Sequence, residues 1–376
     1  MLCGNQIENQ FVSEGASVRA KRADVTAVIV TYGERSNKCA AAIRAAFEAG
    51  VGRVLLVANG ISDSEFLSLG VLLGNNLKPI ICCRVDSNTG SAGGFHLGIR
   101  SALRHGAKLV WLLDDDNIAT PDALTMLLDA KSNIEHKLME RVAVTCFRPD
   151  DGVQLRTVSR GCDANPPDGS FLSFDLYTMF MSTRRSKSTP SLDVIQIGLA
   201  PYGGLLLDRS VVVSIGLPET AMLLYEDDTE YTDRLKSIGV KLFLVPWSVV
   251  NDNDSKWSQS QGKARRLGAM DSSDLVRLWF ATRNRAYFDR KRCENWTTLA
   301  RFHCNRLIFL STAFVVGVRR RQYQQFFVLR HGVLHGRKAK SASELASIGV
   351  HQRLLGQPRP IPLDQSAHRE QVIGSK

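Results

Sequence analysis

The sequence lacks a hydrophobic run long enough to cross a bilayer. Its longest apolar stretch, LIFLSTAFVVGV at 307–318, has 12 residues, whereas a membrane-spanning helix needs about 20. The first 23 residues contain no apolar segment of the kind that a signal peptide carries. We therefore expect a cytoplasmic protein without a transmembrane helix.

The cysteines lack the spacing that a metal site or a disulfide framework requires. There are eight, none of them in a CxxC pair. Cys82 and Cys83 are adjacent in a predicted buried strand, so their side chains point to opposite sides. We interpret the cysteines as reduced, small apolar residues of a cytosolic protein.

Acidic residues are scarce in the C-terminal third. Residues 283–340 hold 14 Lys and Arg but only two acids, so this segment carries +12 in a chain whose net charge is +11. One interpretation is a solvated basic face packed on the rest of the protein. A second is a nucleic-acid-binding surface, but no recognised nucleic-acid fold is present. The favoured interpretation is a set of helices resting on an anionic membrane surface, because Leu, Ile, Phe and Trp alternate with the arginines.

The N-terminal two thirds alternates buried strands with helical stretches that end at glycines. This alternation predicts an α/β fold with a mostly parallel sheet and helices on both faces. Such sheets bind ligands at the carboxyl ends of their strands. The first four predicted strands are VTAVIVTYG (25–33), RVLLVANG (53–60), PIICCRVD (79–86) and AKLVWLLDDD (107–116).

Composition divides the chain into several segments. Residues 148–193 are rich in loop-forming residues, and we expect loops there, including a possible mobile flap. The predicted division is an N-terminal extension (1–23), a main domain (24–260) with halves at 24–147 and 195–260, a helical basic region (261–340) and a weakly ordered tail (341–376).

Three consecutive aspartates follow the fourth predicted strand. Carboxylates in this position are hard oxygen ligands suited to Mg²⁺ or Mn²⁺, and Asp114 and Asp116 alternate to the same side. The alternative is an acidic loop in which Asp116 or Asn117 caps the next helix. Thr120 at the N-cap and Pro121 at the first helical position make a better cap, which favours the metal site.

A second acidic cluster, YEDDTEYTDRL, spans 225–235. Helical spacing makes Glu226, Glu230 and Arg234 a structural ladder. That ladder does not explain Asp227 and Asp228 at the start of the helix. They either interact favourably with the positive end of the helix or project a general base into the crevice at the sheet edge.

Glycines and polar residues follow the other strands. In DSNTGSAGGFHLGIR (86–100) the glycines either let backbone N–H groups approach a phosphate or sugar, or form a plain turn. Thr31 and Tyr32 after the first strand, with Asn59 after the second, either frame a flat base or form ordinary turns.

Taken in order, these pieces resemble the family 2 glycosyltransferases, which are inverting GT-A enzymes, and above all their bacterial galactofuranosyl- and rhamnosyltransferase branch. The resemblance covers about residues 25–255. It rests on VIVTYGER, LVANG, NTGSAGGFHLGIR, WLLDDDN, YGGLLLDR and YEDDTEYTDRLKSIG.

The resemblance implies a role for each matching position. Asp228 would be the catalytic base, with Asp227 as second choice. Gly203 and Gly204 would shape the acceptor site, and Asp114 and Asp116 would contact the donor ribose and a Mn²⁺ or Mg²⁺ ion. The implied donor-binding residues are Thr31, Tyr32, Arg35, Asn59, Asn88, Gly90, Gly94, Asp114 and Asp115.

One departure concerns the metal. The branch places a histidine after the strand that follows the base helix, but this chain has PWSVVNDNDSKW at 246–257. Either Asp252 supplies a third oxygen ligand, or Asp114 and Asp116 hold the ion alone.

The implied activity is transfer of a sugar, with inversion, in cell-surface polysaccharide synthesis. UDP-galactofuranose is the first donor expected and dTDP-rhamnose the second, with a glycan or polyprenyl-linked glycan as acceptor at the inner face of the membrane. No nucleic-acid partner is expected. The alternatives are a catalytically inactive nucleotide-sugar-binding or glycan-binding relative, a nucleotidyltransferase and a nucleic-acid-binding protein.

Overall fold

A computed structural model of the chain describes residues 22–74, 80–181, 193–253, 271, 273–341, 344–345 and 368–373. Most of the predicted N-terminal extension (1–23) and of the tail (341–376) lies outside these residues. So does all of STRRSKSTPS (182–191), which is part of the region 148–193 where loops and a mobile flap were expected. The division into domains stays a prediction.

Four parallel strands form the first half of a large sheet. They are β1 (Val25–Thr31), β2 (Arg53–Asn59), β3 (Ile80–Val85) and β4 (Leu109–Asp114), arranged in the order β3-β2-β1-β4. All seven residues of β1 are buried, because hydrophobic clusters cover both faces of the sheet. Burial on both faces explains why these strands are continuous apolar runs rather than alternating ones.

Helices connect these strands on both faces, as the pattern predicts. They are α1 (Ser36–Glu48), α2 (Asp63–Leu73) and α3 (Gly90–Arg104). Helix α3 packs closely on the sheet because Gly98 has no side chain: a Cβ there would lie 2.5 Å from Val28 Cγ1.

The second half of the sheet contains strands of both directions. After β5 (Asn117–Ala119), α4 (Ala123–Leu138) and β6 (Val142–Phe147) come α5 (Gly152–Arg160), α6 (Leu176–Met181), β7 (Ile195–Ile197), β8 (Leu205–Asp208), α7 (Arg209–Ile215), α8 (Asp227–Ser237) and β9 (Lys241–Asp252). Strand β8 is antiparallel to both β4 and β6, whereas β6 and β9 are parallel. The order continues β4-β8-β6-β9-β5.

Three local predictions are corrected. The expected loop region 148–193 contains α5 and α6, and Asp151 caps α5 by accepting hydrogen bonds from Val153 N and Gln154 N. Helix α4 begins at Ala123 without a side-chain cap, so neither the acidic loop nor Thr120 caps it. Part of the tail is also ordered, since β10 (His368–Ile373) pairs antiparallel with β3 at the sheet edge.

The C-terminal region is helical and basic, as predicted. It comprises α9 (Leu275–Lys291), α10 (Trp296–Arg319) and α11 (Tyr323–Lys338). Helices α9 and α11 come close at Gly336, where a Cβ would lie 1.9 Å from Arg283 O. The structure therefore has the predicted fold class, a Rossmann-like α/β domain with helices on both faces of the sheet and a helical basic C-terminal region.

One helix among the described residues, α10, is long and apolar enough by length and composition to cross a membrane. It has 24 residues, and 22% of its most apolar 18-residue stretch is buried inside the structure. The expectation of no membrane span considered only the 12-residue apolar run, which is half of this helix.

Candidate active site

The segments that follow the parallel strands meet at one edge of the sheet, and the surface between them is here called the crevice. Strand β1 ends at Thr31, β4 at Asp114 and β6 at Phe147. The antiparallel strand β8 begins at this edge, so Gly203 and Gly204 also lie there, and α8 begins nearby at Asp227. The topology thus brings segments that are far apart in sequence to one place.

Asp115 is buried, and both of its carboxylate oxygens accept hydrogen bonds from other side chains. Thr31 Oγ1 donates to it at 2.8 Å and Arg35 Nε at 2.9 Å, while Arg35 Nη2 reaches Asp116 at 2.6 Å. Burial raises the pKa of Asp115 to about 6 even though Arg35 opposes the shift. Three predicted donor residues are therefore brought together, with Asp115 in a position to orient Arg35.

Arg148 is a site residue that sequence reasoning missed. It lies directly after β6, and its Nη2 donates to both carboxylate oxygens of Asp252 at 2.8 Å. Its Nη1 also lies 3.7 Å from Asp114 Oδ2. Gly203 makes room for this guanidinium, since a Cβ there would lie 2.8 Å from Arg148 Nη1. Its position in the sequence could have revealed it, because Arg148 directly follows a buried strand that ends at this edge, just as Asp114 ends another such strand.

Asp114 carries the least compensated charge of the first acidic cluster. Its pKa is raised to about 7, mainly by burial and also by Asp116, Asp115 and Asp252, while Arg148 opposes the shift. Its side chain is 39% exposed in the crevice. A carboxylate surrounded by like charges and open to the crevice favours binding of a cation.

The second acidic cluster starts α8 at a strained turn. Tyr225 and Glu226 both have positive φ, 68° and 63°, a conformation that costs energy for residues other than glycine. Asn284 of α9 holds the turn by donating to Tyr225 O at 2.9 Å and to two further carbonyls of the loop. Arg285 braces it through an ion pair with Glu226 at 2.9 Å. The basic C-terminal region therefore supports the second acidic cluster, which sequence reasoning did not anticipate.

Asp227 and Asp228 have different surroundings within this turn. Asp227 is buried and accepts a hydrogen bond from Ser91 Oγ at 2.7 Å. Asp228 is partly exposed, and its Oδ1 accepts from Thr229 N at 2.7 Å. Neither aspartate is the N-cap residue, since α8 is preceded by Glu226.

The two acidic clusters are close enough to interact. Burial raises the pKa of Asp228 well above its ordinary range, and the carboxylates of Asp227, Glu226 and Asp114 raise it further. Asp114 belongs to the first cluster, so the crevice combines carboxylates from both. Asp228 combines partial exposure with a raised pKa, so its carboxylate accepts a proton more readily than an ordinary aspartate does.

The other predicted donor residues differ in how open they are. Tyr32 is 40% exposed, with the Arg35 guanidinium carbon 5.2 Å from the centre of its ring. Asn59 is buried, and its side chain bonds Thr89 N, Gly90 O and Asn88 Oδ1. Asn59 and Asn88 therefore fix the loop before α3, and Tyr32 presents a flat surface to the crevice.

Close packing explains why glycine is needed at two positions near the start of α3. Gly90 has φ +74°, and a Cβ there would lie 2.0 Å from Leu223 O. At Gly94 a Cβ would lie 2.4 Å from Val30 Cγ1. Since Ala92 N donates to Leu223 O, part of the α3 N-terminus is already capped by protein. Donor binding by these glycines stays a prediction.

The predicted set of three metal ligands does not fit the geometry. Among the described residues, no group of three or more His, Cys, Asp or Glu side chains is placed to hold a metal ion. Asp252 is engaged by Arg148 through both of its oxygens, so a third ligand there would have to break that ion pair. That leaves Asp114 and the Oδ1 of Asp116, since Oδ2 of Asp116 is paired with Arg35 at 2.6 Å. Two carboxylates can suffice, because Mg²⁺ is commonly held by one or two carboxylates together with substrate phosphates.

A comparison with protein-family models found no match. Among curated proteins, the chain is 29% identical over 168 residues to galactofuranosyltransferase GlfT1 of Mycobacterium tuberculosis strains CDC 1551 and H37Rv, covering 43% of this chain and 49% of the relative. It is 28% identical over 155 residues to GlfT1 of Mycolicibacterium smegmatis, covering 41% and 46%. The chain thus spans about half the length of the curated relatives it matches.

Two solved structures resemble this one more distantly. A structure of GalNAc-T7 with UDP, GalNAc and Mn²⁺ aligns with a TM-score of 0.42 at 12% identity, covering 67% of this chain and 53% of that one. TarS residues 1–349 of S. aureus aligns with a TM-score of 0.40 at 8% identity, covering 89% and 92%. It is the sequence matches that are informative, and they show that the chain is similar to glycosyltransferases named for galactofuranosyl transfer.

Proposed function

We propose that this protein is an inverting glycosyltransferase that transfers a sugar from a nucleotide diphosphate donor to a glycan or polyprenyl-linked glycan. Its role would lie in the synthesis of cell-surface polysaccharide. Galactofuranose is the sugar we favour, because the sequence matches are to galactofuranosyltransferases. Rhamnose is the second choice, from dTDP-rhamnose, and rests on the motif resemblance alone.

The observation that carries the proposal is the meeting of two acidic clusters in one crevice. Asp228 is partly exposed, has a raised pKa and lies close enough to Asp114 for the two carboxylates to interact. Inverting transfer needs a base on one side of the anomeric carbon and positive charge near the departing diphosphate on the other. Asp228 would supply the base, and Asp114 would attract the cation that brings positive charge to the diphosphate.

In the proposed reaction, Asp228 accepts the proton of an acceptor hydroxyl as its oxygen attacks the anomeric carbon. The new glycosidic bond forms as the bond from that carbon to the diphosphate oxygen breaks. Tyr32 offers an exposed ring against which the nucleotide base can stack. Arg35, oriented by Asp115 and Asp116, places a guanidinium beside that ring.

A divalent cation, Mn²⁺ or Mg²⁺, is part of the proposal. Asp114 and Asp116 would hold it, and the raised pKa of Asp114 supports this because a bound cation would relieve the repulsion among neighbouring carboxylates. When bound, such an ion supplies positive charge that stabilises the departing diphosphate.

The test is nucleotide release from a panel of donors headed by UDP-galactofuranose and dTDP-rhamnose. It is run with membrane extract as acceptor source, in Mn²⁺, in Mg²⁺ and in EDTA. Asp228→Asn keeps the acceptor for Thr229 N but removes the base, and should lower the rate by about 10²- to 10⁴-fold with donor binding retained. Asp116→Asn should raise the cation concentration needed, and Asp122→Asn, exposed at the start of α4, is the matched control.

Each alternative gives a distinct result in the same assay. Nucleotide binding without turnover of any donor would indicate an inactive nucleotide-sugar-binding relative. Release of pyrophosphate from a nucleoside triphosphate would indicate a nucleotidyltransferase. Full activity in Asp228→Asn would remove this residue as the base.

A further inference from the structure

Helix α10 has two apolar sides, and the protein covers one of them. The inner side packs against the rest of the protein through Phe302, Phe309, Ala313 and Gly317. The outer side is exposed although it is also apolar: Leu307 is 67% and Phe314 53% exposed. The residues of this outer stripe, spaced three or four apart, are Cys304, Leu307, Ile308, Ser311, Phe314, Val315 and Val318.

The inner side of α10 is tied to the catalytic domain by polar contacts. Asn305 Nδ2 donates to Gly169 O and to Asp175 Oδ1, each at 2.9 Å. Arg301 Nε donates to the same Asp175 oxygen at 2.7 Å. A helix cannot cross a bilayer while these contacts hold, since polar groups of a large domain would have to enter the hydrocarbon with it. The outer stripe alone is available for a partner.

A cluster of basic residues borders the outer stripe. His303 and Arg306 lie on α10, four and one residues before Leu307, while Arg290 comes from the end of α9 and Arg337 from the end of α11. Among the described residues no ion pair with an acid is recorded for these three arginines, and His303 Nδ1 is buried without a hydrogen-bond partner.

The members of this basic cluster repel one another. Burial lowers the pKa of His303, and Arg306, Arg337 and Arg290 lower it further. Burial and Arg337 likewise lower the pKa of Arg306. Like charges held together without an acid destabilise the folded state, and an anion placed between them would relieve that cost.

The ends of the outer stripe have residues that are typical of a membrane interface. Trp296, at the start of α10, is 78% exposed, and tryptophan is enriched where lipid headgroups meet the acyl chains. Three exposed arginines, 319–321, follow Val318 at the other end. An apolar stripe with basic residues along one flank and at one end is complementary to a bilayer that contains anionic lipid.

We propose that the outer stripe of α10 and the basic cluster form a docking face for the surface of an anionic phospholipid bilayer. The apolar side chains enter the headgroup–acyl boundary, and the basic cluster receives the phosphate of an anionic lipid. The protein is held at the membrane surface without spanning it. The residues of this docking face are not among those described for the active-site crevice, so the proposal does not depend on which donor the enzyme uses.

The test is sedimentation of the full-length protein with vesicles of phosphatidylcholine alone or mixed with phosphatidylglycerol. Arg306→Gln with Arg337→Gln should weaken binding to the anionic vesicles about 25-fold, at about fivefold per basic residue, and leave binding to neutral vesicles unchanged. Leu307→Ser with Val315→Ser should weaken binding to both kinds of vesicle by about tenfold.

Matched controls have the same chemistry at other places on the surface. Arg104→Gln with Arg160→Gln removes two exposed charges, and Leu67→Ser with Val71→Ser removes two exposed apolar side chains. Both controls should bind vesicles as the wild type does. All variants should keep wild-type circular dichroism and donor binding, which separates loss of docking from loss of folding.

Four outcomes would overturn the proposal. In the first, wild type binds both kinds of vesicle equally, and in the second, variants and controls lose binding equally. In the third, inorganic phosphate alone releases the protein completely from the vesicles. In the fourth, the membrane-bound protein resists extraction by alkaline carbonate. The third would indicate a site for free phosphate and the fourth a spanning helix. Salt-sensitive RNA binding that disappears in Arg306→Gln with Arg337→Gln, while vesicle binding persists, would assign the cluster to nucleic acid instead.

Discussion

Replacing Arg148 by methionine is expected to cost the folded protein about 3 to 5 kcal/mol at neutral pH. This is the usual penalty when one partner of a buried ion pair is removed and the other stays charged. The side chains of Arg148 and Asp252 are 13% and 14% exposed, so water replaces little of the lost interaction. Because methionine fills much of the volume of arginine, little further stability should be lost by leaving a cavity.

The loss of unfolding free energy in Arg148→Met should increase as the pH rises. Without Arg148, burial and the repulsion from Asp116 and Asp150 raise the pKa of Asp252 in the folded state further above that in the unfolded chain. The folded variant then binds protons more readily than the unfolded one, so its stability improves as the pH falls through the raised pKa. The destabilisation relative to wild type should therefore be largest at pH 8 and smaller at pH 5.

Urea unfolding of wild type, Arg148→Met, Asp252→Asn and the double variant at both pH values tests this reasoning. The double variant removes the unpaired charge together with its partner, and should recover at least half of the stability lost in Arg148→Met. A loss below about 1 kcal/mol in Arg148→Met, or no recovery in the double variant, would refute the idea that the guanidinium compensates this carboxylate.

Three further predictions concern the base and its support. The pH of half-maximal nucleotide release should lie above the ordinary range of an aspartate, since Asp228, whose pKa is raised by burial and by neighbouring carboxylates, must lose its proton before it can accept one; a flat pH–rate profile would contradict this. Asn284→Ala leaves the carbonyls of Leu224 and Tyr225 without the Asn284 donor, whereas Met222 O keeps its bonds from Leu224 N and Arg283. The change should cost about 2 to 3 kcal/mol and lower kcat more than donor affinity, with unchanged kcat as the contrary result. Gly90→Ala should unfold the protein at lower urea than Gly106→Ala, because both have positive φ but only Gly90 also meets a backbone oxygen; equal midpoints would show that strain alone matters.

Local patterns predicted the first half of the sheet well. Strands buried on both faces are continuous apolar runs, and glycine at a helix end marks the stop, so β1 to β4 and the helices between them could be predicted from the chain alone. The same reasoning failed at α5, where a short helix with an aspartate cap lies among loop-forming residues, and at β10, which exists only because the edge of β3 offers it a partner.

The sequence by itself determined which residues are chemically suited to the site: two groups of aspartates, an arginine after the first strand and a basic C-terminal third. Tertiary structure alone decided which of them meet. The pairing of Arg148 with Asp252, the approach of Asp228 to Asp114 and the support of the α8 turn by Asn284 join residues separated by 59 to 114 positions. The exposure of one apolar side of α10 is also set by packing, because a helix periodicity shows which residues share a side but not which side the rest of the protein covers.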